Sequence, residues 1–318
     1  MGEQASETKL SRRDVLGALA VLGGTALAGA APATAGPRPV PRFFMGKAGV
    51  SVSRLSVGGW HAGVAMSEAA AIRMLHTALD LGVNFFDSAA SYGGDDGSEY
   101  RLGKAFADRR DRVVLMTKSY ERDRVGARRE FDRSLKRMQT KHVDLWQFHS
   151  INSIGDAEAI ARPGGAAEMA RAALKAGEIR VLGATSHNSP EGLLRLVELV
   201  PEIEVVQFPV NAVDLHWKSF LTGVMPTVRK RGLGVLAMKT LAMGRLAKGT
   251  VVTRQECLRY ALSQPVDVWV TGVESEAQLS ENLALLLDHT AMPAAEQTAL
   301  VARTEPLKGP KTEGYKNW

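Results

Sequence analysis

Cysteine is nearly absent from this 318-residue chain: Cys257 stands alone, so no intrachain disulfide can staple the fold and no cysteine-rich metal centre is available. Aromatic residues are also scarce, at 6%, and none alternate with dense basic tracts, which removes the stacking platform that single-stranded nucleic acid needs. Positive charge is in only slight excess, 40 Lys and Arg against 34 Asp and Glu for a formal +6. Arg109, Arg110, Arg112, Arg128, Arg129 and Lys136 are interleaved with acidic residues on helix-like stretches and read as solvated faces. No nucleic acid partner is expected, and the charge favours anionic small molecules only in a general way. From Gly36 onward no apolar run is long enough to span a bilayer, so no stable membrane span is expected there. What remains, 45% hydrophobic and 23% charged, is a globular composition with ample surface to bury a core.

Residues 1–35 differ in kind from the rest. Ser11-Arg12-Arg13-Asp14-Val15-Leu16 precedes an Ala/Gly/Leu/Val run from Gly17 to Ala31, and Ala33-Thr34-Ala35 stands before Gly36. A charged start, a modest apolar stretch and a small-residue cleavage site make an export signal, and the paired arginines make it the twin-arginine type. Cleavage is expected after Ala35, by way of the twin-arginine export machinery, giving a periplasmic or extracellular protein. The expected domains are thus a signal peptide over 1–35 and a single catalytic domain over 36–318.

In the mature chain a short Gly-bearing stretch, Phe43 to Val52, predicts a β-hairpin, after which strand-like and helix-like segments alternate. The strand-like runs are Leu55–Trp60, Val83–Ser88, Val113–Lys118, Val143–His149, Val181–Ser186, Val205–Val210, Gly234–Lys239 and Val266–Gly272. Amphipathic stretches separate them, and Gly82, Gly177 and Gly232 fall where helix C-terminal caps belong. Eight βα units whose strands are continuous apolar runs predict an α/β fold, a closed parallel (β/α)8 TIM barrel. An open doubly wound sheet is the competing architecture; it needs a Gly-x-Gly-x-x-Gly turn after the first strand, and Gly58-Gly59-Trp60-His61-Ala62-Gly63 does not supply one.

Reactive groups in such a barrel sit at the C-terminal strand ends. Asp87 and, five residues on, Tyr92 follow the second strand; the third closes on Lys118 and the fourth on His149. A carboxylate, a phenol, an ammonium and an imidazole would therefore face one cavity. A phenol titrates near about 10 and is a weak acid at neutral pH. Lys118 as a neighbouring cation is expected to draw it down toward the useful range, with Asp87 holding Lys118 and His149 donating to the substrate oxygen. Such a set puts a proton on a carbonyl oxygen while a hydride arrives at its carbon, and the hydride has to come from a cofactor.

With those residues the mature chain resembles the aldo-keto reductases over nearly its whole length. The family motif of Asp, Tyr at the fifth position and Gly matches Asp87, Tyr92 and Gly93, and Lys118 and His149 match the family's catalytic Lys and His. The resemblance implies a barrel binding NADP(H), less often NAD(H), with Tyr92 as general acid toward aldehydes or ketones, and a monomer. It also implies that Thr185 and Ser186 in Gly183-Ala184-Thr185-Ser186, together with Gln207, hold the carboxamide, and that Glu281 and Asn282 contact adenine. Lys239, Leu241, Gly272 and Ser275 complete the expected cofactor-binding set. Two of its positions depart from the family pattern: Met238 stands where an aromatic usually lies under the nicotinamide, and Gln278 where many members carry an Arg for the 2′-phosphate, so Ser275 with Lys239 or Arg245 is the expected compensation.

Trp60, His61, Tyr120 and Trp217 are candidates for the substrate pocket. Other readings of the same residues are a metal-dependent hydrolase using His61, His149 and His187, a lyase forming a Schiff base on Lys118, and a non-catalytic dinucleotide-binding sensor or partner. The hydrolase lacks a His-x-His pair on its first strand, and the lyase leaves the Asp87 and Tyr92 spacing unexplained. The stretch Thr290–Trp318 is polar apart from one helical patch and predicts nothing about the pocket wall.

Overall fold

A computed structural model describes residues 38–318; the expected signal peptide over 1–35 lies outside the described residues. The apolar β-branched runs form strands, and eight of them close on themselves. Two antiparallel strands come first, β1 (Arg42–Met45) and β2 (Val50–Ser53). The barrel follows, in which β3 (Leu55–Gly58), β4 (Phe85–Asp87), β5 (Val114–Ser119), β6 (Val143–Phe148), β7 (Ile179–Thr185), β8 (Ile203–Pro209), β9 (Gly234–Met238) and β10 (Val268–Gly272) pair in chain order, and β10 returns to β3. Every barrel pair is parallel. This is the (β/α)8 barrel with its N-terminal hairpin.

Side chains alternate across each strand with a period of two, and that alternation builds two apolar layers. Phe85, Val114, Met116, Leu145, Val181, Val205, Leu236, Val268 and Val270 point into the barrel, where Met45, Val50 and Val52 of the hairpin join them and plug the N-terminal end. The hairpin turns close against the barrel because Gly46, at φ +64°, has no Cβ; one there would lie 2.6 Å from Glu204 and 2.9 Å from Val181. The other rows, among them Phe86, Leu115, Trp146, Leu182, Val206, Val235 and Trp269, point outward and bury the apolar stripes of the helices.

Helices start where a hydroxyl or carboxylate precedes them: Ser67, Asp123, Ser153, Ser189, Thr253 and Ser275 each accept a backbone N–H of the first turn. They end at Gly82, Gly177 and Gly232, all at positive φ as expected of C-terminal caps. The first strand stops two residues earlier than the sequence suggests. Trp60 takes helical backbone angles and starts a single π-turn, His61–Ala65, a local device common near functional sites. Helices also form outside the amphipathic stretches that the sequence marks, at Ile154–Ala161 in the loop after β6, at Phe220–Gly223 after β8, and at Ala294–Thr304, which gives definite form to the helical patch near the C-terminus.

Helix Ser98–Phe106 packs against helix Arg124–Arg137 through Gly103, where a Cβ would meet the Arg137 carbonyl oxygen at 2.4 Å. That close approach lets Arg137 reach the Ala90 carbonyl and Glu99 beneath the loop after β4. Gly103→Ala should force the two helices apart and lower unfolding free energy by about 1–3 kcal/mol, to be read from urea denaturation; an unchanged midpoint would show that the contact yields without cost.

Candidate active site

At the C-terminal rim the inward rows of β4, β5, β6 and β8 end in polar side chains and that of β9 in a methionine. Phe85 is followed two residues on by Asp87, Val114 and Met116 by Lys118, Leu145 by Gln147 and His149, Val205 by Gln207, and Leu236 by Met238. The same alternation that fills the barrel with aliphatics therefore places this set in one layer at its mouth. Asp87, Lys118, Gln147, His149 and Gln207 are all buried.

Lys118 is the hub. Its Nζ donates to Asp87 Oδ1, to the Ser88 carbonyl at 2.7 Å and to the Tyr92 hydroxyl at 3.5 Å, and it lies 4.8 Å from the Tyr92 ring centroid. Burial pulls the Lys118 ammonium down and pushes the Asp87 carboxyl up, while each group's charge opposes the shift of the other. Tyr92 departs from expectation. Burial, followed by the Asp87 charge and the neighbouring Tyr120, pushes its phenol well above the ordinary value. The Lys118 charge is paired with Asp87, and desolvation of the phenolate prevails, so Tyr92 holds its proton at neutral pH.

The loop that carries Tyr92 is fixed from beneath. Tyr92 N–H donates to the Ala89 carbonyl at 3.0 Å, and its own carbonyl accepts from Ser98 N–H at 2.8 Å. The Ala90 carbonyl accepts from Arg137, which also pairs with the buried Glu99, and Glu99 in turn accepts from Thr117 Oγ1 at 2.5 Å. Gly93 takes φ +88° where a Cβ would strike the Gly63 carbonyl oxygen at 2.5 Å.

His149 meets Tyr92 edge-on at 5.9 Å between ring centroids and stacks on Tyr120 at 4.1 Å. Burial first, then Lys118, His187, Arg122 and Lys239, hold its pKa well below the ordinary value, so the imidazole is neutral. Nδ1 is buried without a partner, leaving Nε2 as the nitrogen open to the cavity. His187 is likewise held well below its ordinary value by burial, and its Nδ1 lies 3.3 Å from Ser150 Oγ. His149 and His187 stand 6.5 Å apart at their centroids, and His61 pairs instead with Glu274 at 3.6 Å. Among the described residues these three do not gather into a metal-binding group.

Along the rim from β7 to β10 lie the remaining candidates. Thr185 Oγ1 accepts from Ser150 N–H at 2.8 Å, and Ser186 Oγ donates to the Ile151 carbonyl at 2.7 Å. The Gln207 amide oxygen accepts from Gln147 at 2.8 Å, while its NH2 donates to no group among the described residues. Met238 ends β9, buried. Leu241 is half-buried against the outer core. Gly272 ends β10, where a Cβ would lie 2.2 Å from the His61 ring. Ser275 caps the helix Glu276–Leu287, and Gln278 folds back so that its Oε1 accepts the Glu274 N–H at 2.8 Å. Asn282 is buried, donating to Thr271 Oγ1 at 3.3 Å and accepting from Arg254, whose guanidinium also lies 3.8 Å from Glu281. Arg254 is a cation that the sequence does not single out, because it neighbours this pair only through folding. Arg245 donates to the Pro310 and Lys311 carbonyls.

The C-terminal stretch supplies a wall that no sequence pattern announces. Lys316, fully buried, pairs with Asp214 at 2.8 Å and Glu313 at 3.0 Å and donates to the Trp217 carbonyl at 2.5 Å. Tyr315 donates to Glu313 at 2.7 Å and accepts from Asn211 at 2.8 Å. This clasp lays Trp318 beside His187, ring centroids 5.4 Å apart, and its carbonyl accepts from Asn188. Trp60, exposed, and His61 meet edge-on at 5.1 Å on the opposite rim, and Tyr120 is exposed at the mouth.

Residues 54–256 match the model of the aldo/keto reductase family. The chain belongs to that family. Similar curated proteins include the uncharacterised oxidoreductase YrpG of Bacillus subtilis, 33% identical over 228 residues that span 64% of this chain and 67% of that protein. Another is the 6-dehydroglucose reductase of Novosphingobium aromaticivorans, 29% identical over 66% of this chain and 72% of the relative. L-glyceraldehyde 3-phosphate reductase of Escherichia coli is 30% identical over 64% of this chain and 62% of its own. Among solved structures, an aldo-keto reductase of Bacillus halodurans superposes with a TM-score of 0.68 at 21% identity, covering 83% of this chain and 96% of the other. One from Klebsiella pneumoniae in complex with NADPH gives 0.67 at 20%, covering 81% and 93%. At that identity the likeness concerns the barrel.

In this reductase-family barrel the Asp87 carboxylate depends on Lys118, and Lys118→Met should cost about 3–5 kcal/mol near neutral pH. Burial raises the folded-state pKa of Asp87, and without the ammonium that opposes the rise it climbs further. A raised carboxyl contributes stability that is present below its unfolded value and lost as pH rises through its folded value. The deficit of the variant in urea denaturation should therefore shrink from about pH 7 to about pH 5; an equal deficit at both would mean that Asp87 is not the group left unpaired.

Proposed function

We propose that this chain reduces aldehyde or ketone carbonyls to alcohols, reversibly, with NADP(H) as cofactor and Tyr92 as the proton donor. The observation that carries the reading is the single cluster at the mouth of the barrel in which half-buried Tyr92 meets buried Lys118, Asp87 and His149. The nicotinamide supplies the hydride. The rim fits it: the Gln207 NH2 is unpartnered and suited to the carboxamide oxygen, Met238 offers a thioether in place of an aromatic face, and Asn282 is oriented beside Arg254.

Tyr92, kept protonated by its surroundings, donates its proton to the carbonyl oxygen as negative charge develops there. The phenolate that results faces the Lys118 ammonium, so the cation acts after proton transfer rather than before it. His149, a neutral imidazole, donates one hydrogen bond to the same oxygen and adds no charge that would compete for the proton. Asp87 fixes Lys118 and balances its charge. Trp60, His61, Tyr120 and Trp318 wall the substrate side.

The cofactor preference follows from Arg254. With Gln278 folded onto its own helix, Arg254 is the cation beside Glu281 and Asn282 and is the group suited to a 2′-phosphate. A charge-assisted bond is worth about 1.5–3 kcal/mol, so Arg254→Ala should weaken NADPH roughly tenfold or more in a fluorescence titration and leave NADH within about threefold; an equal loss for both would remove Arg254 from the phosphate. Tyr92→Phe should lower carbonyl-dependent NADPH oxidation by about 10²–10⁴ with NADPH affinity held. Tight NADPH binding with no turnover by the unaltered chain over a panel of aldehydes and ketones would instead favour a dinucleotide-binding sensor.

A further inference from the structure

Lys239 is a second ammonium at the mouth, and the chemistry above does not use it. It follows Met238 at the end of β9 in the left-handed region, φ +56°, a conformation that favours glycine and is strained for a long side chain. The side chain is half-buried, with Nζ 4.9 Å from the Trp318 ring centroid and 5.9 Å from that of Tyr315. Its charge is felt at Asp87, His61, His149 and His187, so it lies within electrostatic reach of the tetrad. Among the described residues no carboxylate pairs with Lys239 and no group accepts a hydrogen bond from its Nζ, whereas the buried Lys118 and Lys316 are each fully engaged. Burial pulls its pKa down to about 8, the mark of a cation short of compensation.

A desolvated charge without a partner is costly. Here the backbone is bent into an unfavourable region to aim it, and the C-terminal clasp lays two aromatic rings against it. Such an arrangement is suited to an anion arriving from outside. Two anions have access to the mouth, the cofactor's phosphates and a charged substituent on the substrate. Lys239 lies against Trp318 and Tyr315, whose rings in turn neighbour His187 on the substrate wall, while the adenine end of the groove is marked by Arg254 and Asn282.

We propose that Lys239 binds an anionic group, a carboxylate or phosphate, carried by the carbonyl substrate, so that this reductase prefers anionic aldehydes or ketones to neutral ones. The proposal rests on the reductase reading for its consequence in turnover but not for its binding.

The test compares the unaltered chain with Lys239→Met and Lys239→Arg, each loaded with NADP+ and titrated calorimetrically with 4-carboxybenzaldehyde and with 4-nitrobenzaldehyde. The unaltered chain should bind the carboxylate at least about tenfold more tightly than the nitro compound, a difference of about 1.4 kcal/mol. Lys239→Met should abolish that ratio and Lys239→Arg should retain most of it. With NADPH, the ratio of kcat/KM for the two aldehydes should fall in parallel, through KM, and the preference for glyceraldehyde 3-phosphate over glyceraldehyde should fall with it if the site also takes phosphate. A ratio unchanged in Lys239→Met overturns the proposal, as does a loss confined to NADP+ affinity, which would assign Lys239 to the dinucleotide. Selective carboxylate binding with no turnover of any aldehyde would uphold the anion site while overturning the reductase reading.

Discussion

The buried pair of Lys118 and Asp87 is the constraint around which the mouth of this barrel is arranged. An ammonium and a carboxylate removed from water hold one another in place, and Lys118 uses its remaining donor capacity on the Ser88 carbonyl and the Tyr92 hydroxyl. Because the two charges nearly cancel, the phenol beside them sits in a medium that is dry and close to neutral. A dry, neutral medium favours uncharged acids and bases: Tyr92 keeps its proton and the His149 imidazole takes up no second one. In the proposed reaction such a site delivers a proton, and its cation then stabilises the phenolate that the transfer leaves behind.

Much of this layer was legible before folding. Asp87, Lys118 and His149 each lie at the end of a strand whose alternate residues are aliphatic, and period-two alternation leaves no choice about where they point. The hairpin, the closed order of strands and the glycine caps follow from the same local rules. What was not legible depends on contacts between distant residues. The direction of the Tyr92 shift required knowing that the Lys118 charge is matched and that the phenol is buried. Position alone assigns Gln278 to the dinucleotide, whereas its side chain caps its own helix. Arg254 precedes Asn282 by a whole βα unit, and only closure of the barrel makes them neighbours. Lys316 meets Asp214 across 102 positions of sequence, so no window along the chain could have announced a pocket wall at Trp318.

The two lysines of the mouth define two electrostatic regimes within one cavity. Lys118 is compensated, regular in backbone and shielded. Lys239 is uncompensated, strained and half-open beneath aromatic rings. The first regime keeps the reacting atoms in a constant setting, and the second leaves the opposite wall with unsatisfied charge. On the proposed reading, reaction and recognition are in this way placed on opposite sides of the mouth, at the ends of β5 and β9.

The two-residue period of the strands has a consequence for how such a chain can diversify. Sliding β5 by one position would turn Thr117 into the cavity and drive the Lys118 ammonium into the apolar shell beneath the helices, and the same holds for every strand that ends in a reactive group. Lengthening a connecting loop carries only a slowly growing entropic penalty. Insertions and deletions are therefore tolerated between strands and forbidden within them, so descendants of this sequence can remodel what enters the mouth far more readily than what happens there.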